Sequence, residues 1–255
     1  MDSVLPNVCN HSPPEFREFL MSIKEQEVIG EMFDRIAMTY DKINQILSFG
    51  QDSLWRKRLV SALPTTPSLS ILDVATGTAD VLIAMCRLRA NIDQAIGVDI
   101  SDNMLSVGRK KIAQSNLLDK ATLIKASACN LPFTAESFDV VSIAFGIRNI
   151  IDVRTALREF ARVLKQGGSL LILEFSMPNN RLVRHLYLSY FRNLLPLVGG
   201  WLSKDYEAYR YLNTSVESFL SPQSLKEMIL SSGFNHVALS SISFGIATIY
   251  CARKV

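Results

Sequence analysis

Between residues 70 and 175 the chain alternates short apolar runs with longer stretches of helical periodicity, and that alternation leaves few folds open. The runs at 70–74, 94–99, 121–126, 138–145 and 169–175 are mostly continuous, as expected for strands of a parallel sheet covered on both faces. Helices are expected between them at 80–89, 102–115 and 153–164, the last stopping at Gly167-Gly168, where a left-handed turn is sterically cheap. After 175 comes a departure over 177–222, then a helix at 223–231 and strands at 236–242 and 246–251. The link around Ser243 and Gly245 is too short for anything but an antiparallel pair. The expectation is an α/β fold with a mostly parallel, Rossmann-like sheet, an antiparallel C-terminal hairpin and an insertion after the fifth strand.

Upstream, residues 28–62 carry apolar positions at helical spacing until Pro64, Thr65, Thr66 and Pro67 break the pattern. This divides the 255 residues into a helical extension, 1–62, and a domain, 63–255. Roughly the first 25 residues of the extension are expected to be flexible. Mean hydropathy is +0.18 with 48% apolar residues, yet no segment approaches the ~18 uninterrupted apolar residues of a membrane span. A net charge of +3 gives no electrostatic footprint for nucleic acid. Cys9, Cys86, Cys129 and Cys251 have no paired spacing, and His11, His185 and His236 are scattered, so neither disulfides nor a metal site is expected. Residues 1–14 lack the pattern of an export signal, which points to the cytoplasm.

The first strand runs into Ala75-Thr76-Gly77-Thr78-Ala79-Asp80, a small-residue turn opening a helix at the ligand-binding edge of an α/β sheet. Asp99, 22 residues beyond Gly77, ends the second strand, where a carboxylate can accept both hydroxyls of a ribose. One glycine cannot bring backbone to a pyrophosphate, and no G-x-x-x-x-G-K-[ST] loop occurs, so dinucleotides and nucleoside triphosphates fit poorly. S-adenosylmethionine, with a ribose and no phosphate, fits better. Asp73, inside the apolar run, needs backbone or cofactor partners. Ser127-Ala128 follow the third strand and Arg148-Asn149 the fourth, at the same sheet edge. Residues 177–222 hold five of the seven tyrosines, and Phe191, Trp201 and Phe219 besides.

Tyr40-Asp41-x-x-Asn44, Ser48-Phe49-Gly50 with Trp55, and Phe145-Gly146-Ile147-Arg148-Asn149 resemble the two signatures of the C-methyltransferases of menaquinone and ubiquinone biosynthesis, and the likeness spans roughly residues 28–254. Arg162-Val163-Leu164-Lys165-x-Gly167-Gly168 is similar to a run shared across class I methyltransferases. The resemblance implies S-adenosylmethionine contacts at Gly77, Thr78, Asp99, Ser127 and Ala128, and no metal. It implies methyl transfer to a ring carbon of a polyprenylated quinol, naphthoquinol or benzoquinol. Arg148 is the expected catalytic group, stabilising the quinolate or orienting a water that takes the proton, with Tyr40, Asn44 and Asn149 holding the ring. Asp52 stands where the family has histidine, Ile43 replaces a methionine, Ala79 a glycine, Ser127 an Asp or Asn, Ala144 a serine and Gln166 a proline; these bear on substrate detail and affinity rather than reaction type. Stretch 177–222, with Arg181, Arg184, Arg192 and Lys204, suits a lid resting on anionic lipid at the inner face of a membrane. Two other classes stay open: a methyltransferase for another small apolar acceptor, and a non-catalytic adenosine-binding or lipid-handling module. Oligomeric state, a homo-oligomer included, is equally open.

Overall fold

The computed structural model describes residues 14–194 and 205–255. Cys9, His11, Trp201 and Lys204 lie outside the described residues. Seven strands form one sheet: β1 (Leu69–Val74), β2 (Ile92–Asp99), β3 (Ala121–Lys125), β4 (Phe138–Ala144), β5 (Leu164–Phe175), β6 (Phe234–Ile242) and β7 (Ala247–Lys254). They lie in the order β3-β2-β1-β4-β5-β7-β6. All pairings are parallel except those of β7, antiparallel to both β5 and β6, so the expected hairpin closes one edge. The order reverses between β1 and β4, where the carboxyl ends of an open α/β sheet leave a crevice.

Helices α3 (Asp80–Leu88), α4 (Asp102–Gln114), α5 (Val153–Val163) and α8 (Pro222–Leu230) flank the sheet. Leu82, Met85 and Leu105 pack on one face with Trp55 and Leu59 of α2 (Gln51–Ser61), and Leu157, Phe160 and Leu225 pack on the other. A third apolar cluster lies apart from these two. In it Met32, Ile36, Ile43 and Leu47 of α1 (Pro14–Leu47) meet Tyr187 of α6 (Arg181–Ser189) and Ala208 and Val216 of α7 (Tyr206–Ser218). The extension and the insertion thus pack against one another.

Helix α1 begins at Pro14, earlier than the periodicity predicts. The Gln26 side chain donates to the carbonyl of Asn149 at 3.3 Å and accepts from the Ile151 amide at 3.4 Å. Asp34 accepts from the Ser101 hydroxyl at 2.5 Å and the Asn103 amide at 2.9 Å, at the start of α4. A turn with Phe49 (φ 52) and Gly50 (φ 74) left-handed then reverses the chain into α2. The expected stop of α5 at Gly167-Gly168 is wrong: α5 ends at Val163, and fully buried Leu164 already pairs with Phe138 as the first residue of β5. Gly167 (φ 68) instead lies within β5, near the point where the β4–β5 register shifts.

Candidate active site

In the loop after β1, Ala75 (φ 50), Gly77 (φ 55) and Ala79 (φ 66) are all left-handed, a conformation that costs a non-glycine residue about 1 kcal/mol or more. The curl aims the Gly77 amide at Asp99, which accepts it at 2.8 Å through one oxygen and the Ser101 amide at 3.0 Å through the other. Burial pushes the Asp99 carboxyl above its ordinary value, while the backbone donors oppose the rise. Asp73 accepts from the hydroxyls of Thr76 (2.7 Å) and Ser142 (2.6 Å), and its burial lifts its pKa to about 6.

Gly77, Asp99, Ser127 and Ala128 come together around a pocket of about 80 Å³, roofed by Gln26, Ile29, Phe33 and Tyr40 of α1. Two predicted residues go elsewhere. Thr78 faces the neighbouring cavity, its hydroxyl donating to Asp41 at 2.6 Å and accepting from Lys111 at 3.1 Å. Asn149, expected at the acceptor ring, lies in the small pocket instead, because the 3-10 turn Ile147–Asn149 swings it there. Its side-chain oxygen is buried without a hydrogen-bond partner, an acceptor open to a donor.

The neighbouring cavity, about 610 Å³, is walled by Ile36, Tyr40 and Asn44 of α1, Trp55 of α2, Phe145, Arg148 and Phe175 from the sheet edge, and Leu186, Tyr187, Tyr190 and Leu212 from the insertion. The two spaces share Phe33, Tyr40, Ala75, Gly77, Ala144 and Phe145 and so meet beside the curled loop. Trp55, Phe145 and Phe175 pack as a trio of rings with centroids 4.6 to 5.9 Å apart. This is the physical link between the two sequence signatures: Trp55 of one rests on Phe145 of the other. Gly146 is required for that junction, since a Cβ there would sit 2.6 Å from Ala75 Cβ.

Arg148 is the buried cation of this cavity. Its side chain is 4% exposed and pairs at 2.8 Å with Glu174, 0% exposed. The same Arg148 nitrogen donates to the Phe145 carbonyl at 2.5 Å, the guanidinium lies 5.3 Å from the centre of the Phe175 ring, and its Nε is buried without a partner. Glu174 also accepts the amides of Arg148 (3.3 Å) and Phe175 (2.8 Å). Sequence reasoning missed it, although a carboxylate ending the apolar run Leu170-Leu171-Ile172-Leu173 is the same signal that singled out Asp73. Burial pushes the Tyr40, Tyr187 and Tyr211 phenols up, and Arg148 opposes the rise in each; Asn44 hydrogen-bonds Tyr40.

At the polar end of the cavity Asp52, Arg56, Asp80, Lys111 and Asp41 form a chain of ion pairs joining α2, α3, α4 and α1. Asp52, buried, also accepts from Ser48 at 2.9 Å. At the open end stand Phe49 (78% exposed), Phe244 (85%) and Leu186 (61%). Both phenylalanines have left-handed backbones, an unusual conformation for bulky residues, and both turns carry their rings outward. No described helix is long and apolar enough to cross a membrane.

The model of the ubiE/COQ5 methyltransferase family matches residues 20–254. The chain is 42% identical to the ubiquinone/menaquinone biosynthesis C-methyltransferase UbiE of Geotalea daltonii over 228 residues, covering 89% of this chain and 97% of that protein. It is 36% identical to the demethylmenaquinone methyltransferase of Bacteroides fragilis over 245 residues, covering 96% and 100%. Among solved structures, a SAM-dependent methyltransferase of Thermotoga maritima superposes with a TM-score of 0.62 at 20% identity, covering 88% of this chain and 99% of that one. Phosphoethanolamine N-methyltransferase 2 of Haemonchus contortus gives 0.65 at 16%, covering 89% and 60%. Likeness at such identity speaks for the fold alone.

Proposed function

From the premise that the chain belongs to the ubiE/COQ5 methyltransferase family, we infer that it is an S-adenosylmethionine-dependent C-methyltransferase acting on a polyprenylated quinol. The observation that carries this reading is the apolar cavity of about 610 Å³ that opens onto the pocket of Asp99 and holds one buried guanidinium in its wall. The lining of the small pocket, rather than its volume, suits an adenosine: Asp99 offers oxygen to a ribose, Asn149 an unused acceptor, and Ser127-Ala128 a small edge. Bound there, S-adenosylmethionine supplies a methyl group on a sulfonium.

A ring carbon of a quinol is a weak nucleophile until a hydroxyl proton departs and charge enters the ring. The net change is one carbon–methyl bond formed, one sulfur–methyl bond broken, and one proton released as the ring regains its aromaticity. Arg148 is assigned to hold the quinol oxygen and favour its ionised form. Tyr40, which walls both spaces, and Asn44 keep the ring against the loop, while Trp55, Phe145 and Phe175 exclude water. Thr78 is assigned to brace Asp41 and Lys111 rather than to touch the adenosine.

The membrane is the proposed source of the acceptor. Phe49, Leu186 and Phe244 line the cavity and are exposed, and Leu54, Lys57, Arg58, Arg181, Leu182 and Arg184 are exposed on the neighbouring helices α2 and α6. Stretches 48–58, 177–189 and 242–246 contain one acidic residue, Asp52, and it is buried, so this rim suits an anionic bilayer. Radiolabelled methyl transfer to demethylmenaquinol, set beside a demethylated ubiquinone precursor, tests the reading. Transfer to neither, with S-adenosylmethionine still bound, refutes it.

A further inference from the structure

Arg148 alone would be a poor partner for a quinol. A guanidinium at full strength beside the oxygen stabilises the oxyanion so well that little charge reaches the ring carbon, and nucleophilicity falls as basicity falls. The molecule places a second charge where it can temper this. Glu174, at the end of β5, is wholly buried and outside the cavity wall, yet takes one Arg148 nitrogen at 2.8 Å together with the Arg148 amide at 3.3 Å and the Phe175 amide at 2.8 Å. One carboxylate therefore ties the 3-10 turn to the strand, and leaves Arg148 Nε buried and unclaimed. Among the described residues, the other ionisable groups facing the pair are phenols: Tyr40 of α1, Tyr187 of α6 and Tyr211 of α7 toward Arg148, and Tyr187 and Tyr250 of β7 toward Glu174. Burial holds each phenol above its ordinary value, so none competes for the proton at neutral pH.

We propose that Glu174 is a positioning residue for methyl transfer: it fixes the Arg148 guanidinium in the cavity wall and offsets its charge, so that the acceptor oxygen is held without being over-stabilised. The inference rests on the quinol reading above. Removing the Glu174 charge should make the bound acceptor ionise more readily and, once ionised, react more slowly, a split that loss of structural support does not produce.

The test uses 4-methoxy-1-naphthol, which has a single hydroxyl, bound to the full chain in the presence of S-adenosylhomocysteine, its ionisation followed by absorbance. Glu174→Gln should lower the pKa of the bound naphthol by about one unit relative to wild type, and Arg148→Gln should raise it. At a pH above the pKa of the bound naphthol, where both proteins hold it ionised, Glu174→Gln should also lower kcat for methyl transfer several-fold, up to about tenfold for the one unit of basicity lost, while the Kd of S-adenosylhomocysteine stays within about twofold. Should Glu174→Gln fail to fold, Glu174→Asp, which keeps the charge but withdraws it, must shift the naphthol pKa in the same direction by less. An unchanged or raised naphthol pKa in the folded Glu variants, or a loss of homocysteine-product binding equal to the loss of kcat, overturns the proposal. Failure of the wild-type protein, with S-adenosylhomocysteine bound, to bind either the naphthol or demethylmenaquinol refutes the quinol reading itself, and this inference with it.

Discussion

Gly146 ties backbone packing to chemistry at one atom. Its φ of −115 suits any residue, so Gly146→Ala meets no backbone objection; the cost is steric. The new Cβ would lie 2.6 Å from Ala75 Cβ and 3.3 Å from Ile143 Cγ1. Carbon atoms prefer about 3.5–4.0 Å, so the turn must retreat from the loop by about 1 Å. Overpacking of this kind costs about 1–3 kcal/mol, or roughly 2–12 °C in Tm for a chain of this size. The larger effect falls on turnover. Arg148 is two residues away, and a displacement near 1 Å at a reacting centre costs about 100-fold in rate. The partner change Ala75→Gly deletes the opposing methyl at a position whose φ of 50 suits glycine. Melting curves and kcat for wild type, both single variants and the double variant form a cycle. Rescue of both quantities in Ala75→Gly/Gly146→Ala is expected. A fully active Gly146→Ala, or a double variant no better than the single, refutes the packing argument.

Other consequences are open to direct measurement. Asp73 is carried from 3.8 to about 6 by burial, so its contribution to stability is fully present below pH 4, is lost as pH rises, and levels off above pH 6. Two units at 1.36 kcal/mol each make that loss about 3 kcal/mol, of which about 1.3 kcal/mol returns between pH 7 and pH 5. Urea unfolding of wild type and Asp73→Asn over that range should show the slope in the first and not the second. Asp99→Ala should weaken S-adenosylhomocysteine binding by about 10- to 100-fold in calorimetry, through lost charged hydrogen bonds. Phe49→Ser with Phe244→Ser should abolish flotation with anionic vesicles and leave Tm within about 2 °C, because both rings are exposed; unchanged flotation would remove this rim as the membrane contact.

What could be read from the letters follows from what each residue depends on. The strands were legible because a sheet covered on both faces demands unbroken apolar runs, and Asp99 was legible because a strand-ending acid is a local signal. The start of β5 was not: α5 ends at Val163, within one residue of the expected 164, but Gly167-Gly168 imitates its stop while Leu164 is drawn into the sheet by Phe138, 26 positions earlier in the chain. The partners of the Thr78 side chain lie as far off in the chain. Its neighbourhood to Gly77 suggested the adenosine, while Asp41 and Lys111, 37 and 33 residues away, claim its hydroxyl. Asn149 depended on a single turn of 3-10 helix, whose handedness of delivery no pattern announces. Glu174 was within reach, since the rule that marked Asp73 applies to it unchanged.

Helix α1 roofs the small pocket, pinned by Gln26 at one point and Asp34 at another, and through Tyr40 it also walls the larger cavity, which runs out to Phe49, Leu186 and Phe244. A change that loosens either pin therefore acts on both spaces at once. If the proposed methyl donor enters by lifting this helix, binding is ordered, and product inhibition by S-adenosylhomocysteine is competitive toward the donor and mixed toward the quinol.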